Sequence, residues 1–281
     1  MTKAETLDII VKRQLKTNVR CIVVGTEELI NYKASLPFDL VQGEILTVQV
    51  NKRWRYRKLN NISGEIINRR IDVTALPIQP LKITYIGEWD PKDHYWGKRN
   101  EHLQEWAKPI YDFGKRQKFA MEEIIPGFDP TYLKPDPILE AIFLRNKGKI
   151  PQAIERFKDM LEEDFRCLQA YAHLGVIFFE IDANQSAKYY DIGMNIGLMS
   201  LKDDFNGLLP WVITKNRAFL RCLDGYGFCA WRNNHVDIAL DTFKKQLWMN
   251  PSDDLSTRYL VDFITDGMKW EDYQKLKPSS K

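Results

Sequence analysis

Three stretches in the second half of the chain, residues 134–167, 168–201 and 220–253, lie over one another in register. A small residue falls at the eighth position of each (Ala141, Gly175, Gly227) and an alanine at the twentieth (Ala153, Ala187, Ala239). The first two stretches begin 34 residues apart. Two antiparallel helices need small residues where they cross, because their backbones approach most closely there. Each stretch is therefore expected to be a helical pair, with the eighth and twentieth positions facing each other. The turns fit this reading. Asn146-Lys147-Gly148-Lys149 and Asn233-Asn234 leave helical geometry easily. Pro251 stops the last helix, since proline lacks the N–H and its ring clashes with the preceding turn.

The third stretch, from Cys222-Leu-Asp-Gly-Tyr-Gly-Phe-Cys-Ala-Trp-Arg to Asn250-Pro-Ser-Asp-Asp, resembles a tetratricopeptide repeat, whose period is about 34 residues. The other two depart further from that pattern: Asp191 stands where the family has Phe, and Phe165 where it often has Pro. An 18-residue insertion carrying Asn206-Gly207 and Leu209-Pro210-Trp211 separates the second and third units. The tail, residues 255–273, reads as one further helix that caps the open end of the stack. The resemblance implies a groove lined by the first helix of each pair. Its positions here are Ile142, Arg145 and Asn146, then Gln169, His173, Val176 and Phe179, then Arg221, Asp224, Phe228 and Arg232. Ile138 and Ile142 replace the Lys and Asn that carboxylate-gripping repeats use, so chaperone tails are not the expected ligand. A mixed apolar and arginine groove suits an amphipathic or acidic-hydrophobic segment. Substituting Phe228 or Arg232 is expected to abolish capture without unfolding the domain.

From residue 19 to 90 the pattern changes to period two. Residues 19–25, 44–58, 63–72 and 81–88 are rich in Val, Ile, Thr and aromatics and predict strands. Residues 6–15 fit either a helix or a first strand. In the longest candidate Leu46, Val48, Val50, Trp54 and Tyr56 share one face, and Thr47, Gln49, Asn51, Arg53, Arg55 and Arg57 the other. Four or five strands in this space predict a small barrel of SH3-like or OB-like kind. The run Lys52-Arg-Trp-Arg-Tyr-Arg-Lys58 invites a nucleic-acid reading through Arg53, Arg55 and Arg57. The expected alternation turns its aromatics into the core and leaves the arginines to project alone, which favours a structural or protein-binding strand.

Residues 91–133 read as an aromatic-rich connector that packs across both domains and fixes their angle, with a short amphipathic stretch around Leu103, Trp106 and Ile110. Asp90, Asp93, His94, Glu101 and His102 gather there without the spacing of a metal or acid–base site, and read as a surface loop. No phosphate-binding glycine loop, G-x-S-x-G motif or paired-cysteine metal motif occurs. Cys21, Cys167, Cys222 and Cys229 form no C-x-x-C pair and fit buried thiols in a reducing cytosol. No apolar run approaches the roughly 20 residues a membrane span needs, and the first 13 residues are too charged for a secretory signal. Residues 1–100 hold 17 Lys/Arg against 11 Asp/Glu, a net of +6, which leaves −3 for the rest of a chain of net +3.

The stretches Val41-Gln-Gly-Glu-Ile-Leu-Thr-Val, Trp89-Asp-Pro-Lys-Asp-His-Tyr-Trp-Gly and Arg221-Cys-Leu-Asp-Gly-Tyr-Gly are similar to those of bacterial cytoplasmic proteins that join a small β-domain to tetratricopeptide repeats. The last, with Asn250-Pro-Ser-Asp-Asp, also resembles repeats of suppressor-of-tumorigenicity-7-like proteins. These resemblances imply an architecture and no mechanism. The expectation is an α+β protein: a β-barrel-like domain (1–90), the connector (91–133), and an all-α tetratricopeptide-like array with a capping helix (134–281). Its expected role is a cytoplasmic, non-catalytic adaptor for another protein or peptide, with no metal or cofactor. RNA or DNA association through residues 52–58 is the alternative.

Overall fold

The structure, a computed structural model, describes residues 5–33, 39–93, 103, 105–128, 131 and 135–276. The chain is mixed α and β and divides into two compact units, each made of two segments: residues 1–80 with 124–199, and residues 81–123 with 200–281. The first unit takes the N-terminal strands and two of the helical pairs. The second takes most of the described connector and the third pair. The units thus cut across the boundaries 1–90, 91–133 and 134–281.

In the first unit β1 (Thr6–Gln14), β2 (Val19–Val23), β3 (Leu29–Tyr32), β4 (Glu44–Tyr56) and β5 (Leu59–Ile71) close a barrel in the order β1-β2-β3-β5-β4. All neighbours are antiparallel except β3 and β5. Residues 6–15, open between helix and strand, supply β1. The short β3 is not foreseen by periodicity, because four residues carry too little pattern. Alternating positions fill the interior: Ile9, Val11, Cys21, Ile30, Tyr32, Leu46, Val48 and Ile62 form one buried cluster. Gly64 is required here, since a Cβ on it would lie 2.0 Å from the carbonyl oxygen of Gln49. Residues 81–88, expected as a barrel strand, do not join. The pairings of β5 with β3 and β4, and of β4 with β1, already close the wall, and the later segment pairs elsewhere.

Two helical pairs follow: α2 (Pro137–Asn146) with α3 (Ile150–Glu163), and α4 (Leu168–Phe179) with α5 (Ala183–Met199). Asp136 caps α2 by accepting from the Ile138 N–H at 2.8 Å, with Pro137 at the first helical position. After α2 the chain turns through Gly148 at φ +73°, and the Lys149 N–H reaches back five residues to Leu144. The second pair lacks this turn. Asp182 donates only to Phe178, four residues back, so α5 begins one residue early relative to Gly175. The twentieth position is displaced as a result. Ser186, fully buried, occupies the crossing, and Ala187 is only half-buried. The Ser186 hydroxyl donates to the Gly175 carbonyl at 2.8 Å. The same shift explains Asp191. The aromatic missing there is supplied one residue earlier by Tyr190, whose ring lies 2.5 Å from where a Gly175 Cβ would stand.

Residues 41–44 hold the barrel and the helices of this unit together. Gln42 is buried, with its carbonyl accepting from the Tyr171 hydroxyl at 3.3 Å and its side chain from the Tyr189 hydroxyl at 3.2 Å. Gly43 leaves room for Tyr171 and Ile192. The buried Glu44 carboxylate receives Arg69 at 2.7 Å and Lys188 at 3.2 Å, and Asp39 receives both cations as well. Arg13 and Arg20 of the barrel pair with Glu155, Asp159 and Glu162 of α3.

In the second unit β6 (Ile83–Trp89) and β7 (Arg116–Met121) form a two-stranded antiparallel sheet, with α1 (Lys108–Phe113) between them. The 18-residue insertion lies against this sheet. The Leu208 N–H donates to Gln117, and Leu208 accepts from Phe119, each at 2.8 Å. The third pair, α6 (Arg217–Arg232) and α7 (Val236–Met249), has the same turn as the first, with Asn234 at φ +61° and His235 bonded back to Ala230. Its Gly227 lies under the Phe243 ring. The tail is not one helix. It breaks at Gly267 (φ +79°) into α8 (Thr257–Thr265) and α9 (Trp270–Leu276), because glycine in the left-handed region ends a helix at little cost.

Candidate functional site

The groove positions fall into both units. In the first, α2 and α4 are brought together at the predicted residues. Arg145 Nη1 lies 3.3 Å from His173 Nδ1. His173 is buried and stacks on Phe157 of α3 at 5.0 Å between ring centroids, so it is a fixed post on which Arg145 rests. Ile142, Gln169 and Phe179 are half-buried and Asn146 is exposed. Val176 is 50 % exposed. Two further residues of α2, Leu139 at 62 % and Phe143 at 59 %, are exposed apolar side chains four apart, on one helical face. They were not singled out from sequence. The available signal was the excess of apolar residues in Pro137-Ile-Leu-Glu-Ala-Ile-Phe-Leu, which is more than one face of a two-helix pair can bury.

In the second unit Arg221, Asp224, Phe228 and Arg232 lie along α6 and are half-buried. Phe228 is not an open groove residue. Its ring packs edge-on against Phe243 and Trp270, at 5.5 and 5.9 Å, and stacks on Tyr273 at 6.2 Å. Trp231 joins the same cluster and its indole N–H donates to the Met268 carbonyl at 3.2 Å. The chain's own α9 therefore covers this part of α6. Truncating Phe228 would remove these ring contacts, so a loss of stability is expected beside any effect on capture.

The basic strand differs from expectation in one decisive respect. Val50 pairs with Gly64, but Lys52 pairs with Ser63, so Asn51 is an extra residue, a β-bulge. A bulge reverses the alternation beyond it. Arg53 now stands opposite the buried Ile62 and Arg55 opposite Asn60, while Trp54 lies opposite Asn61 on the other side of the ladder. The aromatics thus do not turn into the core. Tyr56 is 63 % exposed, with the Arg57 guanidinium 5.4 Å from its ring centre, and Lys52 lies 6.0 Å from that of Trp54. Arg53 is tied to Glu5 by two hydrogen bonds, of 2.6 and 3.1 Å. No ion pair engages Arg55 or Arg57 among the described residues.

Asp90 and Asp93 form a turn. The Asp90 carboxylate accepts from the Lys92 N–H at 2.9 Å, and its carbonyl from the Asp93 N–H at 3.1 Å. Lys115 lies 3.5 Å from Asp90. His94, Tyr95, Trp96, Glu101 and His102 lie outside the described residues. Among the described residues no three His, Cys, Asp or Glu side chains gather as a metal site would require, and no helix is long and apolar enough to cross a membrane. No protein-family model and no curated protein matches the chain.

Proposed function

We propose that this protein is a non-catalytic adaptor that holds a segment of another protein on the face shared by α2 and α4. The observations behind the reading are the Arg145–His173 contact, which links α2 to α4, and the exposed apolar side chains Leu139, Phe143 and Val176 on those two helices. Large apolar side chains left exposed on one helical face, as Leu139 and Phe143 are, make a candidate interaction surface. With Arg145 on the same helix, the surface suits an amphipathic helix or an acidic-hydrophobic strip. The helical pairs are read as tetratricopeptide-like repeats, the second carrying a one-residue offset, and the compartment as cytoplasmic. A photo-crosslinking residue at Val176 tests this in cells. One discrete protein should be trapped from Val176, none from the exposed Asp237 of α7, and Phe143→Glu should weaken the purified complex about tenfold or more. Equal trapping at both positions, or full affinity in Phe143→Glu, would sink the reading.

A second reading, association with single-stranded nucleic acid, rests on the exposed Tyr56 and the half-buried Trp54 beside Arg55 and Arg57. A five-stranded barrel in which β3 runs parallel to β5 is OB-like, and such barrels use the β4–β5 loop for oligonucleotides. Anisotropy of a labelled oligonucleotide decides it. Tyr56→Ala should cost about 1–3 kcal/mol of affinity, and Arg55→Glu with Arg57→Glu should lower the salt slope by about 1.5–2. An oligonucleotide that binds both variants as it binds the natural protein excludes this strand.

A further inference from the structure

The second unit contains a cleft of about 650 Å³, within the roughly 300–1,000 Å³ of small-molecule sites. Its apolar wall is aromatic, from Phe113, Phe119 and Phe205, with Leu81 and Ile83 beside them. Gly207 makes that wall possible: a Cβ there would lie 2.5 Å from Phe119 and 2.7 Å from Phe205, whose rings stand 5.4 Å apart. Three cations line the cleft, Lys115, Arg116 and Lys202; Lys115 lies 3.5 Å from Asp90, and Asp204 is the one carboxylate in the lining, which leaves the cleft net positive.

Arg116 is the unusual member. It is only 3 % exposed, yet no carboxylate pairs with it among the described residues. Its Nε donates to the Asn206 carbonyl at 2.7 Å and its Nη2 to the Gly207 carbonyl at 3.0 Å, while Nη1 is buried without a hydrogen-bond partner. The guanidinium carbon lies 4.0 Å from the ring centre of Trp248. Burial pushes its pKa down to about 9, still above neutrality, so the group remains charged. Ring contact and two neutral carbonyls offset only part of the cost of burying that charge. A buried cation whose Nη1 makes no hydrogen bond, in an aromatic cleft of net positive charge, lacks an anion.

We propose that this cleft binds a small organic acid, its carboxylate drawn to the Arg116 guanidinium and to Lys202 and its apolar body against Phe113, Phe119 and Phe205. The site is separate from the α2–α4 face and stands or falls independently of it. Octanoate and octanol, which share an alkyl body, are the probes, titrated calorimetrically into the full chain at low salt. The acid should bind about tenfold or more tightly than the alcohol, the scale of one charge-assisted hydrogen bond. Arg116→Met should remove that preference and leave octanol binding unchanged. Because this variant also loses the bonds to residues 206 and 207, the exposed Lys202→Glu is the second variant. It should weaken octanoate several-fold with an unaltered melting temperature, and it decides the matter alone if Arg116→Met fails to fold. The proposal is overturned if acid and alcohol bind alike, if neither binds at millimolar concentration, or if a folded variant retains the natural preference. Arg116 would then be only a strap between β7 and the 206–207 turn.

Discussion

Single residues set the geometry of each helical crossing. Gly175 and Gly227 lie under the rings of Tyr190 and Phe243, and adding a Cβ at either forces an aromatic ring to move. Gly175→Ala and Gly227→Ala should each destabilise by about 1–3 kcal/mol in urea unfolding, the usual cost of overpacking a core. The one-residue offset in the second pair has its own test. Ser186→Leu should disrupt the α4–α5 pair, whereas Ala187→Leu should be tolerated, and circular dichroism melts separate the two. If Ala187→Leu proves the more damaging, the offset is wrong. Asp191 next to this crossing is pushed up to about 6 by burial, against the lowering effect of the Asn195 amide at 2.6 Å. A carboxyl whose folded value is raised favours the folded state while protonated, so its contribution is full below about pH 4 and lost as pH rises through about 6. Asp191→Asn should therefore stabilise the protein by about 1 kcal/mol at pH 8 and change little at pH 4.

At the scale of elements, the β4–β5 ladder depends on two irregularities. The bulge at Asn51 turns Trp54 and Tyr56 outward, and Gly64 allows the strands to approach where a side chain cannot fit. Gly64→Ala puts a Cβ against a backbone carbonyl that cannot rotate away, so it should cost about 3 kcal/mol and open the barrel. Deleting Asn51 should restore strict alternation and bury Tyr56, read as loss of accessibility of its ring to a fluorescence quencher. The α6–α9 contact is held by aromatic packing, since Phe228 meets Phe243, Trp270 and Tyr273. Phe228→Ala should cost about 3 kcal/mol of stability, in contrast to Phe143→Glu, whose ring is exposed and whose effect should appear only in binding.

For the whole molecule, acid sensitivity follows from the charges that tie the first unit together. A hydrogen bond from Arg70 lowers the Asp8 carboxyl, with burial opposing it. Burial raises Asp39, but bonds from Arg69 and Lys188 outweigh it and the net shift is downward. Depressed carboxyls contribute stability above their unfolded value of about 4 and lose it as pH falls through the folded one. The stability difference between the natural protein and Asp39→Asn should thus be present at neutral pH and vanish in strong acid. Glu44→Gln leaves Arg69 and Lys188 without their most buried partner and should cost about 3 kcal/mol at neutral pH.

What the sequence determined by itself is what local physics encodes. Small residues at fixed spacing, turn formers between apolar stripes, and Pro251 specify helical pairs wherever they occur, and two-residue periodicity specifies strands, because both patterns act through neighbours within a few residues. Tertiary structure decided the remainder. Whether residues 81–88 close the barrel or pair with β7 depends on which strand edges remain open, and β1 to β5, paired through β3 and β5, leave none. The bulge at Asn51 is fixed by the partner strand, and it reverses which face carries the aromatics without altering the letters that spell them. The offset at Ser186 arises because the turn before α5 lacks a left-handed residue, and only the packed Tyr190 reveals it. Arg116 looks like any strand arginine until Gly207 and Trp248 enclose it. Each of these outcomes rests on contacts between residues far apart in the chain, where hydrophobic pattern carries no information about the partner.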